Sequence, residues 1–126
     1  MLRTVLVPVV AAGLWVTMSE FVRNELLLKP YWTAHYAELG LVFPSEPANG
    51  IVWMIWSLCF AGLIFAIRQR FTFPETLGLC WAAGFLLMWL VTGNMAVLPY
   101  GILPYAIPLS VLEVGVAIWI IDRLKR

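Results

Sequence analysis

Four long apolar stretches, almost free of charged residues, limit what this chain of 126 residues can fold into. They are Thr4–Val22, Ile51–Ile67, Thr76–Leu98 and Ile102–Ile121. The length of each stretch is close to the ~20 residues that a helix needs to cross a bilayer. Because lipid offers no hydrogen-bond partners to the backbone, uncharged stretches of this length form helices. The sequence therefore predicts an all-α membrane protein, a single domain over residues 1–126, in which four transmembrane helices form one bundle.

The composition excludes a soluble enzyme. Hydrophobic residues make up 63% of the chain and charged residues only 12%, against about 25% charged residues in soluble domains. The formal net charge of +1 leaves no broad basic face, so we expect no nucleic-acid partner. The partner that the composition implies directly is the lipid bilayer.

The basic residues predict the orientation of the bundle. Most lie at the ends of the predicted spans that share a side with the chain termini: Arg3, Arg68, Arg70, Arg123, Lys125 and Arg126. Only Arg23 and Lys29 fall on the other side. Cytoplasmic loops are rich in Lys and Arg, so we expect both termini in the cytoplasm. The first span has no small-residue cleavage motif, and an uncleaved first span favours a bacterial cytoplasmic membrane.

The external connection, residues 23–50, is too long to be a simple link. Trp32, His35, Tyr36 and Leu39 are spaced as one face of a short helix. An aromatic face of this kind predicts an amphipathic helix at the membrane surface, between the first and second spans.

Small and polar residues form one stripe on the first span and another on the fourth. The first stripe is Gly13, Thr17, Glu20 and Asn24, and the second is Ala106, Ser110, Glu113 and Ala117. Both have intervals of four, three and four residues, which place their members on one helical face. Such stripes let transmembrane helices pack closely, so we expect each acid to lie at a helix contact, within the bundle or with a partner.

The position of Glu113 is the strongest functional pointer in the sequence. At a rise of 1.5 Å per residue it lies roughly 14 Å into its span, near the middle of the bilayer. We place no Lys or Arg at that depth, so Glu113 is expected to be protonated or to contact water or a bound cation. The alternative is a neutral Glu113 that bonds Ser110 or another helix and so holds the helices together. Glu20 is expected to pair with Arg23 near the headgroups.

If the polar faces converge, they line a cavity that opens outward and ends at Glu113. The candidate binding residues are Glu113, Ser110, Glu20, Thr17, Asn24, Asn94, Ser57 and Trp89. For Trp89, packing is the alternative role.

The candidates for acid–base chemistry are Glu113, Glu20 and His35. His35 is the only histidine, and an interfacial position is its alternative explanation. No ligand spacing typical of a metal site accompanies it, and no phosphate-binding glycine loop is present. We therefore expect neither a metal nor a cofactor.

Three functions fit these features. The first is a permease or ion-coupled carrier for a small solute, with Glu113 as the proton- or cation-binding group. The second is a membrane enzyme that acts on a lipophilic substrate with Glu113 as general acid or base. The third is an accessory or assembly subunit of a membrane complex, in which the small-residue stripes bind other spans. A homo-oligomer is compatible with the carrier function.

Overall fold

The structure is a computed structural model that describes residues 1–126. It contains helices and no strands. The helices are α1, Leu2–Leu27; α2, Lys29–Glu38; α3, Pro47–Arg68; α4, Phe73–Asn94; and α5, Tyr100–Leu124. All but α2 are long and apolar enough to cross a membrane. The predicted fold class, four spans with a short helix between the first two, is confirmed.

The four long helices run alternately up and down. Arg68 at the end of α3 bonds Asp122 near the end of α5 at 3.1 Å, so these two helices are parallel. Tyr31, just after α1, packs on Tyr105 near the start of α5, with ring centroids 6.2 Å apart, so α1 and α5 are antiparallel. Both chain termini therefore lie at one end of the bundle, the termini end. Helix α2 lies at the other end, the α2 end.

Local capping explains where two of the long helices begin. Before α4, Thr72 and Glu75 form a capping box in which the Glu75 carboxylate accepts the Thr72 backbone N–H at 2.8 Å. Before α3, Glu46 and Asn49 form the same arrangement, and Pro47, directly after Glu46, is the first helical residue. These caps lie outside the hydrocarbon-like stretches, which is why both helices begin earlier than the apolar pattern predicts.

Small residues bring the long helices into close contact. The predicted stripe on α5 faces inward, because its members Ala106, Ser110, Glu113 and Ala117 are all buried. On α1, Gly13 lies so close to α3 that a Cβ atom there would come 2.6 Å from the Leu58 side chain. Small side chains at these positions allow the backbones to approach.

Two π-helical segments interrupt the regular helices, Val22–Leu27 at the end of α1 and Ala82–Leu86 within α4. A π-helix bonds each N–H to the carbonyl five residues earlier, as Leu28 does with Arg23 at 2.8 Å. Single π turns are frequent at functional sites. Neither segment was predicted.

Two predicted span ends are wrong. The first helix does not stop at Val22 but continues to Leu27, so the start of the predicted external segment, from Arg23, is helical and belongs to the bundle. The third span ends at Asn94 and not at Leu98, because the chain turns there and Ala96 has a positive φ of 63°. A hydropathy pattern detects neither a π turn nor a left-handed residue.

Helix α2 covers one end of the bundle, and most of the face that the residue spacing predicted is half-buried there. Trp32, His35 and Tyr36 are half-buried, whereas Leu39 is exposed. Phe43 stacks on Trp32 with ring centroids 5.6 Å apart and holds the following segment against the helix. An aromatic cover therefore lies over the α2 end.

Candidate functional site

Three charged side chains, which we call the triad, meet inside the bundle: Glu20, Arg23 and Glu113. The Arg23 guanidinium donates through Nη2 to Glu20 Oε1 at 2.5 Å and through Nη1 to Glu113 Oε1 at 3.3 Å. Glu113 is 0% exposed, and Glu20 and Arg23 are each 4% exposed. One guanidinium thus joins two carboxyl groups that are closed off from the surface.

The predicted ion pair between Glu20 and Arg23 is present. The prediction that no Lys or Arg lies at the depth of Glu113 is wrong for the Arg23 side chain, because its guanidinium reaches that acid. The backbones of Arg23 and Glu113 lie at different depths, and the two residues meet only through their side chains. Side chains tilt toward the N-terminus of their own helix. Arg23 therefore points from α1 toward the termini end, while Glu113 on the antiparallel α5 points toward the α2 end. The two side chains extend toward each other and close the gap between their backbones.

Glu20 is connected to the aromatic cover. Asn24 donates from Nδ2 to Glu20 Oε2 at 3.0 Å, and its own Oδ1 accepts the Trp32 indole N–H at 3.2 Å. Since Trp32 belongs to α2, a chain of hydrogen bonds runs from the cover through Asn24 to the triad.

Glu113 is held by its helix and by Arg23, but its carboxylate is incompletely bonded. Trp15 on α1 donates its indole N–H to the backbone carbonyl of Glu113 at 2.9 Å, which aligns α1 with α5 at this level. Oε1 accepts from Arg23, whereas the buried Oε2 has no hydrogen-bond partner. A buried carboxylate oxygen without a partner is costly, because nothing replaces its lost hydration.

The charges of the triad do not cancel when both carboxyl groups are ionised. The only charged residue of α3 is Arg68, and the only one of α4 is Glu75, each at or near the end of its helix. No other basic side chain bonds either acid of the triad. Two carboxylates and one guanidinium leave one excess negative charge in a sealed interior, where unpaired charge is expensive. A proton or a bound cation would neutralise it.

An aromatic cluster of α4 contacts the guanidinium through Phe85. Arg23 lies over the Phe85 ring, 5.1 Å from its centroid, in a cation–π contact. Phe85 in turn packs on Trp89 at 5.7 Å, and Trp89 packs on Trp81 at 6.1 Å. Arg23 belongs to one π-helical segment and Phe85 to the other, so both irregular turns meet at this contact.

Most of the remaining predicted binding residues bond locally. The hydroxyl groups of Thr17 and Ser57 donate to the carbonyls of Gly13 and Trp53 in their own helices. Ser110 donates to Ile107 and accepts the Trp81 indole N–H at 2.9 Å, so it does not bond Glu113.

Two further candidates are not brought to the triad. Asn94 is exposed at the end of α4. His35 lies at 2.7 Å from the backbone carbonyl of Ala96, at the α2 end, and makes no hydrogen bond with the triad. The cavity expected above Glu113 is closed in this structure, because that side chain has no exposed surface.

The site offers no ready arrangement for a metal, since no three His, Cys, Asp or Glu side chains are grouped to hold one. Comparison with known protein families, curated proteins and solved structures finds no match to this chain.

Proposed function

We propose that this protein is a small proton- or cation-coupled carrier, and that the triad is the site where the coupling ion binds. The observation that carries the proposal is the state of Glu113. It is fully buried, it shares one guanidinium with Glu20, and its Oε2 atom has no partner. With both acids ionised, this closed site has one excess negative charge, so it binds one proton or one cation tightly.

Ion binding and closure favour each other at such a site. With a proton on one carboxyl group, the triad is neutral and can remain sealed in the membrane. Without the proton, the excess charge favours a conformation in which water reaches Glu113. The bound ion therefore shifts the equilibrium between open and closed forms, as a coupled carrier requires.

Helix α2 is the element that would open the site. It is linked to Glu20 through Trp32 and Asn24. A change in the charge of Glu20 changes the hydrogen bond that it accepts from Asn24. Asn24 in turn accepts the Trp32 indole N–H of the cover, so the change reaches α2. Movement of α2 would expose the triad from the α2 end.

We further propose that the termini end faces the cytoplasm of a bacterial cytoplasmic membrane. The proposal is supported by the six Lys and Arg residues at or beyond the span ends on that side: Arg3, Arg68, Arg70, Arg123, Lys125 and Arg126. By the positive-inside rule, such a side is retained in the cytoplasm. The α2 end then faces outward, and the carrier opens to the outside when α2 moves.

Proton entry into liposomes tests the proposal. Purified protein is reconstituted into vesicles that contain a pH-sensitive dye, and a potassium gradient with valinomycin sets the interior negative. Because the triad binds its proton whether or not a solute is present, we expect wild type to carry protons inward without solute and to acidify the interior faster than empty vesicles. Glu113→Gln keeps the shape of the side chain but cannot bind and release a proton. Vesicles with this variant are expected to acidify at the rate of empty vesicles.

Glu75→Gln is the matched control. Glu75 is an exposed acid at the start of α4, and Gln also serves in a capping box, so the substitution should leave proton entry at the wild-type rate. Equal proton entry in wild type and Glu113→Gln would contradict the proposal. So would wild-type vesicles that acidify no faster than empty ones.

A further inference from the structure

We infer that the substrate is a lipophilic organic cation whose planar, charge-delocalised head binds the Glu113 carboxylate beside the Arg23 guanidinium, and whose apolar tail lies in a crevice between α3 and α4. This inference rests on the proposed function and adds the substrate class to it.

The triad already binds one group of that chemistry. The Arg23 guanidinium is planar and delocalised, and it lies between two carboxyl groups and the face of Phe85. A carboxylate together with an aromatic face is a common way to bind organic cations. The Oε2 atom of Glu113 has no partner, so a free planar cation can bind it beside Arg23 without displacing that side chain.

The crevice for the tail lies on the outer surface of the bundle, where α3 meets the π-helical segment of α4. It has a volume of about 350 Å³, within the size range of small-molecule sites. Its lining includes Trp56, Phe60, Gly84 and Met88 and carries no charged residue. An apolar crevice that faces lipid admits a ligand that has first dissolved in the bilayer.

Phe85 lies between the crevice and the guanidinium. Phe60, which lines the crevice, packs edge-on against Phe85 with ring centroids 5.8 Å apart, and the Phe85 ring faces Arg23. Gly84, the residue before Phe85, lies so close to the Phe60 ring that a Cβ atom on Gly84 would be 2.6 Å from it. A shift of Phe85 would join crevice and triad, and Phe85 lies in a π-helical segment, a type of turn that is frequent at functional sites.

Charge selects a cation over other ligands. The triad carries an excess negative charge when both acids are ionised, so an anion would add to the imbalance and a neutral ligand would leave it unchanged. A cation replaces the proton in neutralising the site. Each cation bound therefore displaces a proton to water, which gives exchange of the two ions at one site.

Calorimetric titration with benzylguanidinium tests the inference. The purified protein in mild detergent is titrated with this cation and, separately, with benzylurea, its uncharged counterpart of nearly the same shape. Empty micelles give the partition background. Wild type is expected to bind benzylguanidinium with release of protons to the buffer and to bind benzylurea at least about tenfold more weakly.

Variants locate the ligand. Glu113→Gln should weaken benzylguanidinium binding and abolish the proton release. Gly84→Ala should also weaken binding, because the added methyl group displaces Phe60 into the crevice. Ala83→Trp on the exposed rim of the crevice is a second blocking variant that leaves the core intact. Gly78→Ala is the matched control, because nothing lies within 4 Å of its added Cβ.

The outcomes separate the two proposals. Equal binding of benzylurea and benzylguanidinium, or undiminished binding in Glu113→Gln, overturns the inference. If wild type binds no benzylguanidinium while its vesicles still show proton entry that depends on Glu113, the inference fails and the proposed carrier function stands. If proton entry does not depend on Glu113, the carrier function itself fails.

Discussion

The Arg23 guanidinium bonds the Glu113 carboxylate at 3.3 Å across 90 residues of sequence, and this contact joins the end of α1 to the middle of α5. It crosses the bundle interior in a region where the other long helices contribute only uncharged side chains. The contact makes the stability of the bundle depend on the charge state of one buried acid.

Removal of Arg23 is expected to destabilise the protein strongly. Arg23→Ala leaves two buried carboxyl groups without their shared donor, and breaking a buried ion pair from one side costs about 3–5 kcal/mol. Arg68→Ala is the comparison, since the Arg68–Asp122 pair is partly exposed at 23% and such pairs contribute about 1 kcal/mol or less. Titration of the folded protein with a denaturing detergent measures both changes in the free energy of unfolding. Equal losses in the two variants would contradict the account.

Neutralising Glu113 should rescue part of that loss. In Arg23→Ala combined with Glu113→Gln, one buried acid without a basic partner remains instead of two, and this acid, Glu20, keeps its bond from Asn24. The double variant is therefore expected to be more stable than Arg23→Ala alone, with a coupling energy of about 1–3 kcal/mol. Additive losses in the double-mutant cycle would show that the two residues act independently.

The general fold could be predicted from the sequence because its strongest determinants are local. Stretches without charge must form spans, and the periodicity of Ala106, Ser110, Glu113 and Ala117 indicated which face of α5 is buried. Glu113 was expected at a helix contact, since exposure of an acid to lipid is costly, and the structure places it inside the bundle.

The partner of Glu113 could not be predicted in the same way. Arg23 was assigned to the headgroups because its backbone lies far along α1, whereas the direction and length of its side chain decide the contact. The π turn that contains Arg23 also has no signature in the hydropathy pattern. An account of side-chain tilt in antiparallel helices would have placed the two groups closer.

A methyl group at Gly13 is expected to separate α1 from α3. In Gly13→Ala the new Cβ would approach the Leu58 side chain to 2.6 Å and its Cα to 3.2 Å, and the backbone contact cannot be relieved by a rotamer change. Overpacking of this kind costs about 1–3 kcal/mol. Gly62→Ala on α3 is the control, because nothing lies within 4 Å of its added Cβ. Denaturing-detergent titration should show a loss for Gly13→Ala alone, and an equal stability of both variants would argue against close α1–α3 packing.

Loss of the His35 side chain should loosen the α2 end. His35 Nε2 lies 2.7 Å from the Ala96 carbonyl in the turn between α4 and α5. His35→Ala removes the contact, so the backbone amides of Ala96 and Val97 should exchange hydrogen faster, by about five- to tenfold for a net bond energy of ~1 kcal/mol. Thr33→Ala on the exposed face of α2 should leave these rates unchanged. Unchanged exchange in His35→Ala would show that the contact does not restrain the turn.

Site-specific labelling tests the orientation. In a background without Cys59 and Cys80, a cysteine at Ala34 on the exposed face of α2 should react with a membrane-impermeant maleimide added outside intact bacterial cells. A cysteine at Gln69, between α3 and α4, should react only after the membrane is permeabilised, because that turn is placed in the cytoplasm. The reverse pattern would mean that the termini end faces outward.

Infrared spectroscopy of the carboxyl groups tests the central claim most directly, namely that Glu20 and Glu113 together hold one proton beside Arg23. At neutral pH and without an organic cation, the wild-type protein is expected to show the stretching band of a buried protonated carboxyl group. This band should be absent in Glu113→Gln and present in Glu75→Gln. A wild-type spectrum without the band, or a band that persists in Glu113→Gln, would contradict the claim.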